Sequence, residues 1–215
     1  TERTAGLIYD GESGGLNESA VHTDLVCDLR KGGKIEVDGE PIQENGKFAV
    51  LNKSQQAAAD HAVDFDPPIY NIWKRQDRTP GVSDHFGYSE IRWLDNLLYL
   101  YTKAFDVIVD PFAGGGSTID LCRKRFRRYF ASDRKPIIER EKEIRAHDLT
   151  EGLPKPPQWK DVRLVYLDPP YWKQAEGQYS NDPTDLSNMP LDQFNKTLAD
   201  IINGFAKKLT NEDGA

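Results

Sequence analysis

Cysteine is nearly absent: Cys27 and Cys122 are the two in 215 residues. They have no metal-type spacing and are too few for a disulfide framework, so a reducing, cytoplasmic setting is expected. Also missing is any apolar run near the roughly 18 residues that a membrane span requires, which leaves no membrane partner to expect. Thr1-Glu2-Arg3-Thr4 has neither the apolar core of a signal peptide nor a starting Met, so the sequence reads as a processed or excised piece. A positive balance is missing too, the net charge being −7. Broad affinity for nucleic acid comes from neutralising phosphates, so a general nucleic-acid coat is excluded, whereas an enzyme with a local basic surface is not. Internal repeats and low-complexity tracts are absent as well.

What remains is an ordinary globular composition, 38% hydrophobic and 29% charged. The length suffices for one α/β domain with an appendage. Residues 1–65 read as an irregular extension of unclear role, and 66–215 as the main domain. In the extension, 34–39 and 46–51 suggest short strands, with Asp38-Gly39 and Asn45-Gly46 as turns, and 54–62 suggests a helix. Further on, Ile91, Leu94, Leu97, Leu98 and Tyr101 recur at a helical period, predicting a helix over 88–102. Strands are predicted at 105–109, 129–133 and 162–167, and helices at 117–126, 136–146 and 191–209. This alternation predicts an α/β fold with a largely parallel sheet.

Two loops follow predicted buried strands. The first is Asp110-Pro111-Phe112-Ala113-Gly114-Gly115-Gly116-Ser117. A strand, a glycine turn and a helix start together let backbone N–H groups approach a nucleotide-like ligand. No Lys precedes Ser117 or Thr118, so this is not a Walker loop. Ile119 stands where a dinucleotide fingerprint needs its third Gly. Asp133 ends the next strand, where a carboxylate can accept both hydroxyls of a ribose or cap the helix expected from Pro136.

The second loop is Asp168-Pro169-Pro170-Tyr171. The exocyclic amine of adenine is a poor nucleophile because its lone pair is delocalised into the ring. Acceptors aimed at the amine favour its attacking form and take up developing positive charge. The Asp168 carboxylate and the Pro169 carbonyl supply such acceptors, and Pro169 and Pro170 hold them stiffly in place. Tyr171 offers a ring face for stacking a flipped base. No covalent intermediate is needed, so Cys122 reads as a packing residue. A second Asp-Pro-Pro, at Asp66-Pro67-Pro68, lacks the following Tyr and reads as a plain turn.

Taken in this order, the two loops resemble motif I and the Asp-Pro-Pro-Tyr motif of the amino-directed, S-adenosylmethionine-dependent DNA methyltransferases. The likeness covers roughly residues 68–209, including Tyr70-Asn71-Ile72-Trp73 and 171–189, as in some phage- and plasmid-borne members. It implies a Rossmann-like class I methyltransferase fold with helices on both faces, and S-adenosyl-L-methionine as methyl donor. By the same resemblance Phe112 to Gly116, with Ser117, wrap the methionine part, Asp110 lies close by, and Asp148 meets the adenine. His85 and the helix after it resemble motif X, although a loop histidine without a ligand role fits His85 as well. The implied substrate is the N6 amine of adenine in DNA, with cytosine N4 or adenine in RNA as alternatives. The order of motifs implies a target-recognition region after the catalytic domain, and none is present before Ala215. A fragment that binds cofactor or a partner without catalysis is therefore a competing expectation. Arg134, Lys135 and Lys173 follow strand ends and are expected to contact phosphates. The run 123–128 reads as a solvated helix end, and 177–180 as a lip over the flipped base.

Overall fold

The computed structural model describes residues 51–65, 91–156, 159–174 and 176–209, together with the backbone of six short strands within 1–50. Those strands form two small antiparallel sheets. One joins β1 (Arg3–Thr4), β2 (Leu7–Asp10) and β3 (Gly15–Leu16). The other joins β4 (Lys34–Val37), β5 (Glu40–Glu44) and β6 (Lys47–Phe48). Asp38-Gly39 lies between β4 and β5, and Asn45-Gly46 between β5 and β6, as the turn chemistry predicts. The strand at β5 was not foreseen, because Pro41 and two glutamates hide its alternation.

Helix α1 (Lys53–Ala59) starts at a capping box: Asn52 accepts from the Gln55 N–H while the Gln55 side chain accepts from the Asn52 N–H. Then follow α2 (Ile91–Tyr101), β7 (Val107–Asp110), α3 (Ser117–Lys124), β8 (Arg128–Asp133), β9 (Arg145–Ala146), β10 (Val162–Val165) and α4 (Leu191–Lys208). The last four strands pair in the order β10-β7-β8-β9, all parallel. Every residue of β7 is buried, as a strand covered on both faces requires. Leu94, Leu98, Ile108, Ile119, Phe130, Val162, Ile201 and Phe205 belong to one core cluster.

The chain runs β7, β8, β9 in one direction across the sheet, then returns to place β10 on the other side of β7. Loops leaving β7 and β10 therefore diverge, and the space between their carboxyl ends is the place where open α/β sheets form a ligand crevice. The glycine loop leaves β7 there, and Asp168-Pro169-Pro170-Tyr171 follows β10.

Two expectations are corrected. Residues 136–146 are not a helix but a 3-10 turn (Ile138–Arg140) leading into β9. Ile144 is 1% exposed while Ile138 is 82% exposed. The apolar residues thus make no continuous stripe, and the crossover must reach β9, which pairs with Ser132 and Asp133 at the end of β8. The basic run is not a solvated helix end either: Arg125, Arg127 and Arg128 are buried. Arg125 grips Asp95 with two bonds, Nε to Oδ1 at 2.8 Å and Nη2 to Oδ2 at 2.6 Å, and reaches Asp64 at 3.1 Å. Arg127 donates to Thr102 Oγ1 at 3.0 Å, to the Thr102 carbonyl at 2.8 Å, and to the Ala59 carbonyl. A guanidinium carries five donors in a fixed fork, and here two of them clamp the end of α1 and the loop after it onto α2. Residues 58–64 are thereby fastened to the α/β body.

Candidate functional site

Asp110, the last residue of β7, is buried beneath the glycine loop and holds its two ends together. Its Oδ1 accepts from the Phe112 N–H at 3.0 Å, and its Oδ2 from the Thr118 hydroxyl at 2.6 Å. Burial raises its carboxyl to about 7; those two hydrogen bonds work against the rise, and the charges of Asp133 and Asp168 add to it. Asp110 thus acts on the loop from below. Thr118 is a site residue that the sequence reading missed, since a Thr in the first turn of a helix carries no signal of a partner eight positions back.

Gly114 and Gly116 have φ of +47° and +82°, the left-handed region in which a side chain is strained. The loop is closed by Gly116 N–H to the Ala113 carbonyl at 2.7 Å, and tied to β8 by Ala113 N–H to the Ser132 carbonyl at 3.0 Å. Pro111 and Ala113 are buried and Phe112 is half-buried, while Ser117 opens α3. Asp133 binds the same loop: its Oδ2 accepts from the Gly114 N–H at 2.9 Å, and its Oδ1 from the Lys135 N–H at 2.9 Å. Each carboxylate oxygen has a second lone pair, so the group still has acceptor capacity for a diol.

Asp168, Pro169 and Pro170 are half-buried across the crevice. Tyr171 is 57% exposed, and its hydroxyl donates to Asp168 Oδ1 at 3.4 Å. The Asp168 charge, then burial and that hydrogen bond, raise the Tyr171 phenol. Tyr179 joins this group: burial, then the charges of Asp168, Asp133 and Asp185, raise its phenol too. Among the described residues no cluster of His, Cys, Asp and Glu is arranged to hold a metal ion.

Asp148 caps the 3-10 turn Leu149–Glu151, its Oδ1 accepting from the Thr150 N–H at 2.9 Å. Its Oδ2 pairs with Arg134 Nε at 2.9 Å. Arg134, expected at a phosphate, is instead engaged with carboxylates, because its strand-end position faces Asp148 and Asp182. Lys173 pairs with Glu176 at 2.6 Å. Cys122 is buried and its thiol is pushed up by burial, in keeping with a packing role. His85 and Tyr70-Asn71-Ile72-Trp73 lie outside the described residues.

The sequence-predicted residues Asp110, Gly114, Gly116, Asp133 and Asp168 therefore come together, with Tyr171 beside Asp168, while Asp148 pairs with Arg134, which follows Asp133 in the chain. A separate cavity of about 340 Å³ lies against β8 and β9, lined in part by Phe130, Ser132, Arg145 and Leu153, and none of the predicted residues lines it. No helix among the described residues is long and apolar enough to cross a membrane. Comparison with protein-family models, with curated proteins and with solved structures gave no match for this chain.

Proposed function

We propose that this chain is a methyltransferase that uses S-adenosyl-L-methionine to methylate the N6 amine of a flipped adenine in DNA. The observation that carries the reading is the pairing of two loops across one crevice. A glycine loop held by Asp110 and Asp133 leaves β7, and Asp168-Pro169-Pro170-Tyr171 leaves the strand beside it. The donor set fits the methyl donor, which supplies a methyl group on a positively charged sulfonium. Asp133 and Asp168 lend the crevice negative charge, as a cation requires, and Asp110, raised to about 7 by burial, adds only part of a charge at neutral pH. Asp133 has lone pairs for the ribose hydroxyls, and Gly114 and Gly116 allow close backbone approach.

Asp168 and the Pro169 carbonyl accept from the target amine and steady the positive charge that grows there as it attacks. The exposed ring of Tyr171 stacks on the extruded base, and its hydroxyl fixes the Asp168 carboxylate. The Asp133 carboxylate beside Asp168 favours keeping a cationic donor in place.

The test is transfer from labelled S-adenosylmethionine to mixed-sequence duplex DNA, followed by nucleoside digestion and mass analysis. N6-methyladenine that disappears in Asp168→Ala is the expected result, with a loss of at least about 100-fold for a removed acceptor. N4-methylcytosine would move the target to cytosine. A folded chain that binds the donor and labels neither base refutes the proposed activity on DNA.

A further inference from the structure

The chain after Tyr171 folds back on itself through a dense set of polar contacts. The Trp172 indole N–H donates to the Met189 carbonyl at 2.9 Å, bringing the two ends together. Asn188 donates to the Ser180 and Asp182 carbonyls, each at 2.9 Å, and accepts from the Gly177 N–H at 3.1 Å. Asp185 is buried and accepts from Ser180, from the Ser187 N–H and from the Ser187 hydroxyl. Several backbone groups of the loop are thus satisfied from within it.

Its outer end reaches the far side of the crevice. The terminal Nη2 of Arg134 donates to Asp182 Oδ2 at 2.7 Å and to Thr184 Oγ1 at 2.8 Å, while Nε of the same guanidinium holds Asp148 at 2.9 Å. Asp182 is braced in turn by the Thr184 N–H at 2.8 Å and the Thr184 hydroxyl at 2.7 Å. The loop starts beyond β10 and Arg134 follows β8, with β7 between them. A chain joining the two crosses roughly 10 Å, two strand spacings, at the carboxyl end of β7 where the glycine loop stands.

We propose that Arg134 is a positioning residue. It fastens the loop Glu176–Met189 across the crevice to Asp148, and this tie sets how tightly the nucleoside end of the methyl donor is held. The inference rests on the methyltransferase reading and deepens it, since Asp148 is the carboxylate that the resemblance assigns to the adenine. One planar fork can serve a carboxylate on each side at once, whereas a lysine ammonium, a point charge on a flexible stem, cannot hold that geometry.

Amide hydrogen exchange over 176–189 and calorimetric binding of S-adenosylhomocysteine are compared in wild type, Arg134→Gln, Arg134→Lys, Asp182→Asn and the Gln/Asn double variant. Arg134→Gln and Asp182→Asn are each expected to speed exchange in the loop and to weaken binding about five- to tenfold, the double variant being no worse than either alone. Arg134→Lys recovers less than half of the loss. In transfer assays the donor KM rises by the same factor while kcat changes less than about twofold. Unchanged exchange and affinity in Arg134→Gln, or effects that multiply in the double variant, overturn the inference. Wild-type chain that binds no S-adenosylhomocysteine overturns the functional reading and the affinity part with it, while the exchange comparison still decides the tie itself.

Discussion

Asp110 shows how one side chain can link loop architecture to pH. Its carboxyl is raised to about 7, chiefly by burial. An acid raised in the folded state stabilises the fold fully below its unfolded value near about 4, and that contribution is lost as pH rises through about 7. Asp110→Asn keeps an acceptor for the Phe112 N–H and can donate to the Thr118 hydroxyl, so it removes the titration and keeps the contacts. Urea midpoints at about pH 5 and about pH 8 should show wild type falling relative to the Asn variant; parallel behaviour would refute the assignment. Asp95 is the opposite case. Burial alone would raise it, but His61 and Arg125 hold it down at about 2. Its contribution is present above the ordinary Asp value and is lost as pH falls through about 2. Arg125→Met leaves that carboxylate buried with one partner fewer and should cost about 3–5 kcal/mol by chemical denaturation. Asp95→Leu should cost a similar amount by stranding the guanidinium, and the double variant should cost clearly less than the sum. Strict additivity would mean that the pair does not interact as drawn.

At the scale of elements, the strands were legible where a short apolar run led into a loop motif, as Val107-Ile108-Val109 does in β7 and Leu164-Val165-Tyr166-Leu167 does from β10 onward, and so were helices with a regular stripe, as at α2 and α4. The glycine loop and Asp168-Pro169-Pro170-Tyr171 were legible because their chemistry is local in sequence. The crossover from β8 to β9 was misread because Glu139, Arg140, Glu141, Lys142 and Glu143 all favour helix, and propensity yields to tertiary demand. Arg140 pairs with Asp120 of α3 at 2.6 Å, a contact made by the fold, beside its local pair with Glu143 at 2.9 Å. The buried arginines were misread for a related reason: a basic run looks solvated until its acceptors, Asp95 and Asp64, arrive from distant chain. The corrected crossover buries Ile144 and exposes Ile138. Ile144→Ala should cost about 2–4 kcal/mol and Ile138→Ala less than about 0.5 kcal/mol. Similar costs at both positions would mean that the crossover does not pack as described. For the glycine loop, a Cβ on Gly116 would meet Arg140 and Ile119 at 3.5 Å, ordinary contact, so space is no obstacle. Its φ of +82° is the obstacle, and Gly116→Ala should lower stability by about 1–2 kcal/mol for that reason.

For the whole molecule, the distribution of positive charge bears on how DNA would be held. The chain carries a net charge of −7. Among the described residues, Arg125, Arg127 and Arg128 face inward, and Arg123, Arg134, Arg140 and Lys173 are paired with carboxylates. The net negative charge opposes broad contact with phosphates, and each phosphate contact adds about 0.9 to the slope of log affinity against log salt. A chain that grips the backbone weakly must draw more of its binding from the extruded base, on the exposed rings of Tyr171 and Trp172. Extrusion costs least when the base is unpaired. Anisotropy with a short labelled duplex between about 50 and 200 mM salt is therefore expected to give a slope no steeper than about −3. Transfer to an adenine in a mismatch or single strand should exceed transfer to the same adenine in a perfect duplex. A steep slope with a preference for perfect duplex would mean that backbone contacts dominate. Strong transfer to unpaired adenine that vanishes in Tyr171→Ala but survives high salt would place the recognition energy on the stacked base.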